Sequence, residues 1–485
     1  MVINGGALTM AGGRIYPMVA LLLLLTVARS GLADFSRLPA LIPLALSDSK
    51  LMVHQQALER TVAAGDYTAA LHPAEALAQS LAADRQWAAA ALNNLALVQL
   101  RLGDSVGAIG NFQLAIEKLK ASGNFRDPRL PPPLYALAVA YYQAEDYPRA
   151  IEHFEQANFI TRTDKGLESL EQTAYDDLLL ESFVKTGRLE SAIDRLESGL
   201  NIHRQALKGG PELEQALAQA ARWYRRLDAP YQESLLHEER LEILGAERGE
   251  SHADLVPLYY DLAGSYSRRM RSDLDKLRDI KAAERNVSYS FVRTDQVRRA
   301  ISNDFGESTD NRALLDSEWK AVRALKIALR IQEAQEPLQP SALGETYVHL
   351  GDHYQLIGDE RKARRYYQRA YELLRQGAGE ERLSETFGRP VPLYQKPMKL
   401  PATDDPALQR AYGGEIEVVM DVNSRGQPRN IEFLEARPKQ AEELKDKALR
   451  YSRDTIFRPK FTDEGNEKAE QVRFVYQFRP SLEQP

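Results

Sequence analysis

The chain has 485 residues, more than one ordinary hydrophobic core accommodates and enough for two or three domains. Hydrophobic residues make up 44% and charged residues 27%, the balance of a folded protein that faces water. A formal charge of −6 argues against a general nucleic-acid binder, and the lack of cysteine excludes disulfides, thiol catalysis and cysteine-based metal sites.

The first residues read as an export signal. Arg14 precedes an apolar run, Ile15 to Ala28, that holds five consecutive leucines. Gly31-Leu32-Ala33 then offers a small-x-small cleavage site before Asp34, which sets a signal peptide over residues 1–33. The run is shorter than the roughly 20 residues of a membrane span. Met10 makes a more typical start, because Ala11-Gly12-Gly13-Arg14 is a compact charged lead. No cysteine follows the run, so a lipoprotein anchor is excluded. The expected location is the periplasm. The alternative is an inner-membrane anchor with the rest of the chain facing the periplasm.

Residues 34–48 form a lead containing Pro39 and Pro43. A helical pattern starts near Ser49. Its turns read Gly65-Asp66-Tyr67, Gly103-Asp104, Glu145-Asp146-Tyr147 and Gly187-Arg188-Leu189, at steps of 38, 42 and 42 residues. Alanine follows each turn at Ala70, Ala108, Ala150 and Ala192, and a large residue usually follows that at Phe112, Phe154 and Leu196. Repetition of residue size at a near-constant step signals a repeat architecture. Arg129-Leu130-Pro131-Pro132-Pro133 reads as a loop between units. The next positions in phase, Ala229-Pro230-Tyr231 and Arg271-Ser272, are degenerate turns. Glu238 stands where an aromatic residue would pack. Another unit is expected around Trp319 to Ile331, with the bridge from Asn286 to Asn311 least defined.

Gly344 to Leu374 carries the clearest unit. Tyr347, Leu350 and Tyr354 stripe one helix, and Ala363, Tyr367 and Ala370 stripe a second beyond the turn at Gly358-Asp359. With Gly351 as a small residue at the crossing, this stretch closely resembles a tetratricopeptide repeat, a helix–turn–helix unit that stacks into a solenoid. One such unit cannot bury its own apolar face and implies neighbours. The expectation is a mainly α protein: a tetratricopeptide-type α-solenoid of about seven or eight helix pairs over residues 49–376. Its groove would bind a protein or peptide through first-helix residues Asn93, Tyr135, Tyr142, Asp177, Glu181, Asp352 and Gln355. These do not reproduce the basic-and-asparagine set with which such repeats clamp a terminal carboxylate.

Helical periodicity stops near Arg375. Residues 377–411 form a linker loosened by Gly377, Gly379 and Gly388 and stiffened by Pro390, Pro392, Pro397, Pro401 and Pro406. Strand alternation then appears. Ile416, Val418, Met420 and Val422 mark one strand, Asn423-Ser424-Arg425-Gly426 a turn, and Ile431 with Phe433 a second strand. Pro438 suits a helix start, with a stripe at Leu444, Ala448 and Tyr451. Val472, Phe474, Tyr476 and Phe478 alternate in a last strand.

This strand–strand–helix–strand order over residues 412–485 resembles the C-terminal domain of TonB, the periplasmic energy transducer of Gram-negative bacteria. The matching residues are Gly414-Glu415-Ile416-Glu417-Val418, Asp421-Val422 with Gly426, and Phe457-Arg458-Pro459. The resemblance implies a small α+β domain that meets another protein by strand pairing, here along the edge carrying Val472, Phe474 and Tyr476. Three departures stand against energy transduction. The apolar run lacks polar residues to engage a motor. The repeat array replaces the Lys-Pro and Glu-Pro spacer. Leu408-Gln409-Arg410-Ala411-Tyr412 stands in place of an aromatic-proline motif.

Catalytic signals are weak. Gly103-Asp104-Ser105-Val106-Gly107 matches G-x-S-x-G, but a nucleophile elbow needs a strand before it, and here the pentapeptide is a turn between helices. His349 and His353 are spaced to share a metal, but a third ligand would have to come from Glu345 or a neighbouring unit, and two histidines on what reads as a solvent face are more often unconnected. Arg361, Lys362, Arg364 and Arg365 beside Tyr366-Tyr367 read as a solvated face over a core tyrosine, not a nucleic-acid surface. No phosphate-binding loop is present. The expected function is non-catalytic: a periplasmic scaffold whose solenoid holds one protein and whose sheet edge holds another. No catalytic, cofactor, metal, nucleic-acid or small-molecule site is expected. The alternative is a TonB-type transducer component of receptor-driven transport.

Overall fold

The computed structural model describes residues 38–121, 123–287, 307–395, 415–437 and 439–477. The export signal, Leu408 to Tyr412, Pro397, Pro401, Pro406, Pro438 and Phe478 lie outside them, as does most of the bridge from Asn286 to Asn311. The described residues fall into two compact units, one within residues 1–164 and 177–179, the other within 165–176 and 180–485. Among them no helix is long and apolar enough to cross a membrane.

The first unit holds α1 (Ser49–Ala63), α2 (Tyr67–Ser80), α3 (Ala88–Arg101), α4 (Ser105–Lys120), α5 (Pro131–Gln143) and α6 (Tyr147–Lys165). The helix pairs follow from the turn chemistry. Gly65 and Gly103 take positive φ, the left-handed conformation that ends one helix, and Glu145 accepts the same position at φ 60°. The following Asp66, Asp104 and Asp146 then cap the next helix by accepting from Ala69, Gly107 and Arg149 N–H groups at 2.9, 2.9 and 3.3 Å. Ala70, Ala108, Ala150, Phe112 and Phe154 are all fully buried. Small beside large at each crossing lets helix axes approach without voids. The lead is pinned rather than loose. Asn94 Nδ2 donates to Ile42 O and Asn94 Oδ1 accepts from Ile42 N, both at 2.8 Å.

Three expectations are corrected here and in the second unit. Pro131 to Pro133 form the first turn of α5, not a loop. A first-turn residue donates no intrahelical hydrogen bond, so proline costs nothing there. Arg271-Ser272 is no turn but lies inside α11 (Val256–Val287). The turn expected at Ala229 falls one residue earlier, where Asp228 takes φ 56°.

The second unit continues with α8 (Leu189–Leu207), α9 (Pro211–Arg226), α10 (Pro230–Arg248), α11, α12 (Glu307–Glu333), α13 (Pro340–Ile357), α14 (Glu360–Gly377) and α15 (Gly379–Phe387). The short α7 (Asp176–Lys185) joins the units in sequence. Paired from α1 to α14, the described helices make seven pairs. Glu238 replaces an aromatic residue because it accepts a hydrogen bond from the Tyr266 hydroxyl.

The proposed linker is partly structured. Beyond α15, Val391–Tyr394 forms β1. The sheet region adds β2 (Glu415–Val422), β3 (Pro428–Arg437), α16 (Lys445–Ser452), β4 (Ile456–Arg458), β5 (Lys460–Thr462), β6 (Gly465–Glu467) and β7 (Ala469–Gln477). Their antiparallel pairings give a three-stranded sheet β3-β2-β7, a β1-β4 pair and a β5-β6 hairpin. Ile416, Val418, Met420 and Val422 bury against Leu444 and Ala448 of the following helical turn and α16, as their alternation predicts. Observed order therefore exceeds strand–strand–helix–strand by β1, β4 and the hairpin.

Candidate functional site

The last helix pair and the sheet region meet at one polar cluster. Its floor is set by Gly351 on α13. A Cβ there would stand 2.4 Å from two Tyr367 ring atoms, so glycine alone lets α13 and α14 close around that ring. Tyr367 is fully buried, and its hydroxyl donates to Asp352 Oδ1 at 2.9 Å. Arg458 of β4 completes the cluster. Its Nε and Nη2 donate to Asp352 Oδ1 and Oδ2 at 2.8 and 2.7 Å, and its Nη1 donates to Thr386 O at 2.9 Å. Both side chains are about one-eighth exposed, at 11% and 15%. Burial opposes the arginine's charge, but the facing carboxylate more than restores it and raises its pKa.

Gln355, one turn on, is spent the same way. Its Nε2 donates to Arg425 O at 2.6 Å and Phe457 O at 3.1 Å. Gly426 makes this approach possible, since a Cβ would lie 2.0 Å from Phe457 O. The β5-β6 hairpin adds an apolar contact. Phe461 packs with Leu383, Phe387 and Tyr371 beyond the last helix pair. An array of helix pairs needs a cover for its terminal apolar face, and this hairpin with α15 supplies one. Asp352 and Gln355, expected in a partner-binding groove, thus hold the chain's own C-terminal strands.

The histidine pair is corrected as well. Neither ring lies on a solvent face. His349 stacks on Tyr260 of α11 with centroids 4.1 Å apart, and His353 is 2% exposed with Nδ1 2.8 Å from Ser267 Oγ. Among the described residues no group of three or more metal-ligating side chains forms. Burial, aided by the Lys362 charge, lowers the His353 pKa to about 4. The unfolded chain takes up this proton near pH 6.5, whereas the folded chain resists until near 4. Stability from this group is therefore intact above pH 6.5 and falls as pH drops through that window, by up to about 3 kcal/mol. Denaturant unfolding at both ends of the window should show a shallower pH dependence for His353→Phe. Equal dependence in the two proteins would remove His353 as the cause.

The other expected binding residues are scattered. In the first unit Asn93 is 1% exposed and donates to Asn94 Oδ1 at 3.5 Å, while the buried Tyr135 donates to Asn158 Oδ1 at 2.6 Å. Both therefore serve the interior instead of a partner. Tyr142 packs edge-on against Tyr147. Asp177 is half-buried near the start of α7. In the second unit Glu181 accepts from Arg226 at 2.6 Å. Ser105 is the first residue of α4, with helix α3 rather than a strand before it.

The edge expectation divides. Strand β7 pairs only with β2 among the described residues and so lies at a sheet edge. Its Val472, Phe474 and Tyr476 side chains, however, turn inward against the sheet core. Val475, at 42% exposure, and Arg473 occupy the other face. What β7 presents sideways is backbone.

One cluster gave no local sign in the sequence. Glu233 on α10 is fully buried and receives Arg225 Nε at 2.7 Å and Arg268 Nη2 at 2.7 Å. Burial alone would raise its pKa, but contact with His237 and the two arginine charges overcome that and hold it near 2. The three residues come from α9, α10 and α11, and only their packing unites them.

A profile of the tetratricopeptide repeat matches residues 344–374, the stretch formed by α13 and α14. Several solved structures resemble the chain at low identity. A set of nearly identical TPR-like repeats from Podosopora anserina is 18% identical, with 42% of this chain and 99% of that one covered and a TM-score of 0.38. A tetratricopeptide repeat protein from Parabacteroides merdae is 12% identical, with coverage of 70% and 98% and a TM-score of 0.32. The apo form of RapI is 12% identical, with coverage of 74% and 93% and a TM-score of 0.37. No curated protein matches the chain.

Proposed function

We propose that this chain, a tetratricopeptide-repeat protein, is a non-catalytic scaffold of the Gram-negative cell envelope, acting in the periplasm. In this reading its helix pairs hold one protein partner, and its C-terminal sheet, related to that of TonB, adds a strand from another along β7. The observation that carries the reading is the construction of that edge. Tyr476 is fully buried and Val472 and Phe474 pack on the core, so the strand is anchored from inside. A rigid edge loses little conformational entropy when an extended segment pairs with it. The resemblance of Phe457-Arg458-Pro459 and the Gly426 turn to TonB, and the export-signal pattern of residues 1–33, support the envelope setting.

The full chain should be tested, because Phe461 and Arg458 join the sheet to the last helix pair. A photo-crosslinker placed at Arg473, in cells of a Gram-negative bacterium, is expected to trap an envelope protein. Adding Val475→Lys puts a charge on the edge and should lower that capture about tenfold. Capture of cytosolic proteins alone, or capture unchanged by the lysine, contradicts the proposal.

A further inference from the structure

Strand β1 lies where a ligand of the repeats would lie. Helices α9, α11 and α13 are the first members of three consecutive pairs, and first helices line the groove of such an array. Leu393 of β1 borders a space lined by Arg225 of α9, Ser267 of α11 and Leu356 of α13. Tyr394, the next residue, is 8% exposed, and the guanidinium carbon of Arg271 on α11 lies 5.4 Å from its ring centroid. Burial and the nearby Asp275 carboxylate raise the pKa of its hydroxyl. Along one edge β1 pairs antiparallel with β4, which Gln355 and Asp352 of α13 hold through Phe457 O and Arg458.

The two strands of this ribbon are held differently. Strand β4 has a buried, doubly bonded arginine–carboxylate pair as its anchor. Strand β1 has none. It is four residues long, and its register on β4 shifts between Pro392 and Tyr394. Pro392 brings no N–H to the ladder. Its fit to α11 is also incomplete. Arg271 is 6% exposed, and its Nε has no hydrogen-bond partner among the described residues. A buried donor left unpaired costs stability, so β1 is a poor ligand for the face it covers.

We propose that β1 is a built-in, exchangeable occupant of this end of the groove, and that the face beneath it takes an extended protein segment in which an aliphatic residue precedes a tyrosine. The incoming segment pairs with β4 as β1 does, sets its aliphatic residue among α9, α11 and α13, and lays its ring by Arg271. Arg458 and Gln355 stay in place, so the sheet remains joined to the last helix pair. This inference rests on the protein-binding reading of the helix pairs and gives that partner a chemistry. It does not involve the β7 edge.

The probe is a fluorescein-labelled peptide with the sequence Arg389 to Gln395, added to the full chain and followed by anisotropy. Leu393→Ser with Tyr394→Ser, which empties the site, is expected to bind one peptide saturably and at least tenfold tighter than wild type, where β1 competes. A peptide with serine at both positions should not bind. If the double variant loses its helical circular dichroism, Tyr394→Phe decides, because it keeps the ring and removes only the hydroxyl beside Asp275; it should bind at least threefold tighter than wild type. Equal binding by wild type and a folded variant, or no saturable binding by that variant, overturns the proposal. Either result leaves capture at Arg473 as the separate test of the scaffold reading.

Discussion

Replacing Asp352 with alanine is expected to destabilise the second unit by about 3–5 kcal/mol, the usual result of leaving one partner of a buried ion pair alone. The geometry makes this the chain's most exposed dependency. Arg458 would keep its charge in a site only 11% open to solvent, with no carboxylate facing it and Thr386 O still accepting from Nη1. The Tyr367 hydroxyl, fully buried, would lose its acceptor at the same time. A paired change, Asp352→Leu with Arg458→Met, removes both charges together and should recover most of the loss. Chemical denaturation of the three variants checks this. An Asp352→Ala cost below about 1 kcal/mol would show that the pair is solvated and structurally idle.

A comparable effect is expected from Gly351→Val, at about 3 kcal/mol. The added carbon would lie 2.4 Å from two ring atoms of Tyr367, inside any permitted contact. Tyr367 cannot retreat, because Ala363 and Ala370 flank it on α14 and Phe387 meets it edge-on at 6.0 Å. Helices α13 and α14 must then separate, and Asp352 moves with α13. Combining Gly351→Val with Tyr367→Leu should restore part of the stability, since the smaller side chain frees the space. Failure of the second substitution to help would place the strain elsewhere.

Much of the helical architecture was legible because its turns have a chemical signature. A left-handed residue followed by an aspartate cap appears as Gly-Asp at residues 65, 103 and 358, and the buried alanine follows at a fixed distance. Phase alone is weaker evidence. Extrapolating the step of 42 put a turn at Arg271-Ser272, whereas α11 runs through both residues, with Arg271 buried and paired to Asp275 one turn on at 2.7 Å. The strands of the C-terminal sheet were legible from alternation, and so was the Asn423 turn. Strand β4 was too short to show a period, and β1 was hidden by Pro392 and by Pro390 just before it.

The candidate sites were least legible. Helical spacing correctly put Asp352 and Gln355 on one face of α13, but it could not say what covers that face. The answer is a pair of carbonyls and an arginine up to 106 residues away. The histidines went astray for the same reason: i, i+4 spacing fixes their face, and only α11 decides that it is buried. Inward placement of Val472, Phe474 and Tyr476 follows from the strand period, so the exposed positions on β7 could have been read as Arg473 and Val475.

Native-state hydrogen exchange on the full chain tests the joining of sheet and repeat most directly. If Arg458, Gln355 and Phe461 bind them into one cooperative body, amides of α13, α14, β2 and β7 open with a common free energy. Asp352→Ala should lower all four together. Exchange in β2 and β7 that is unchanged by Asp352→Ala, while α13 loosens, would show two independent modules and contradict the account.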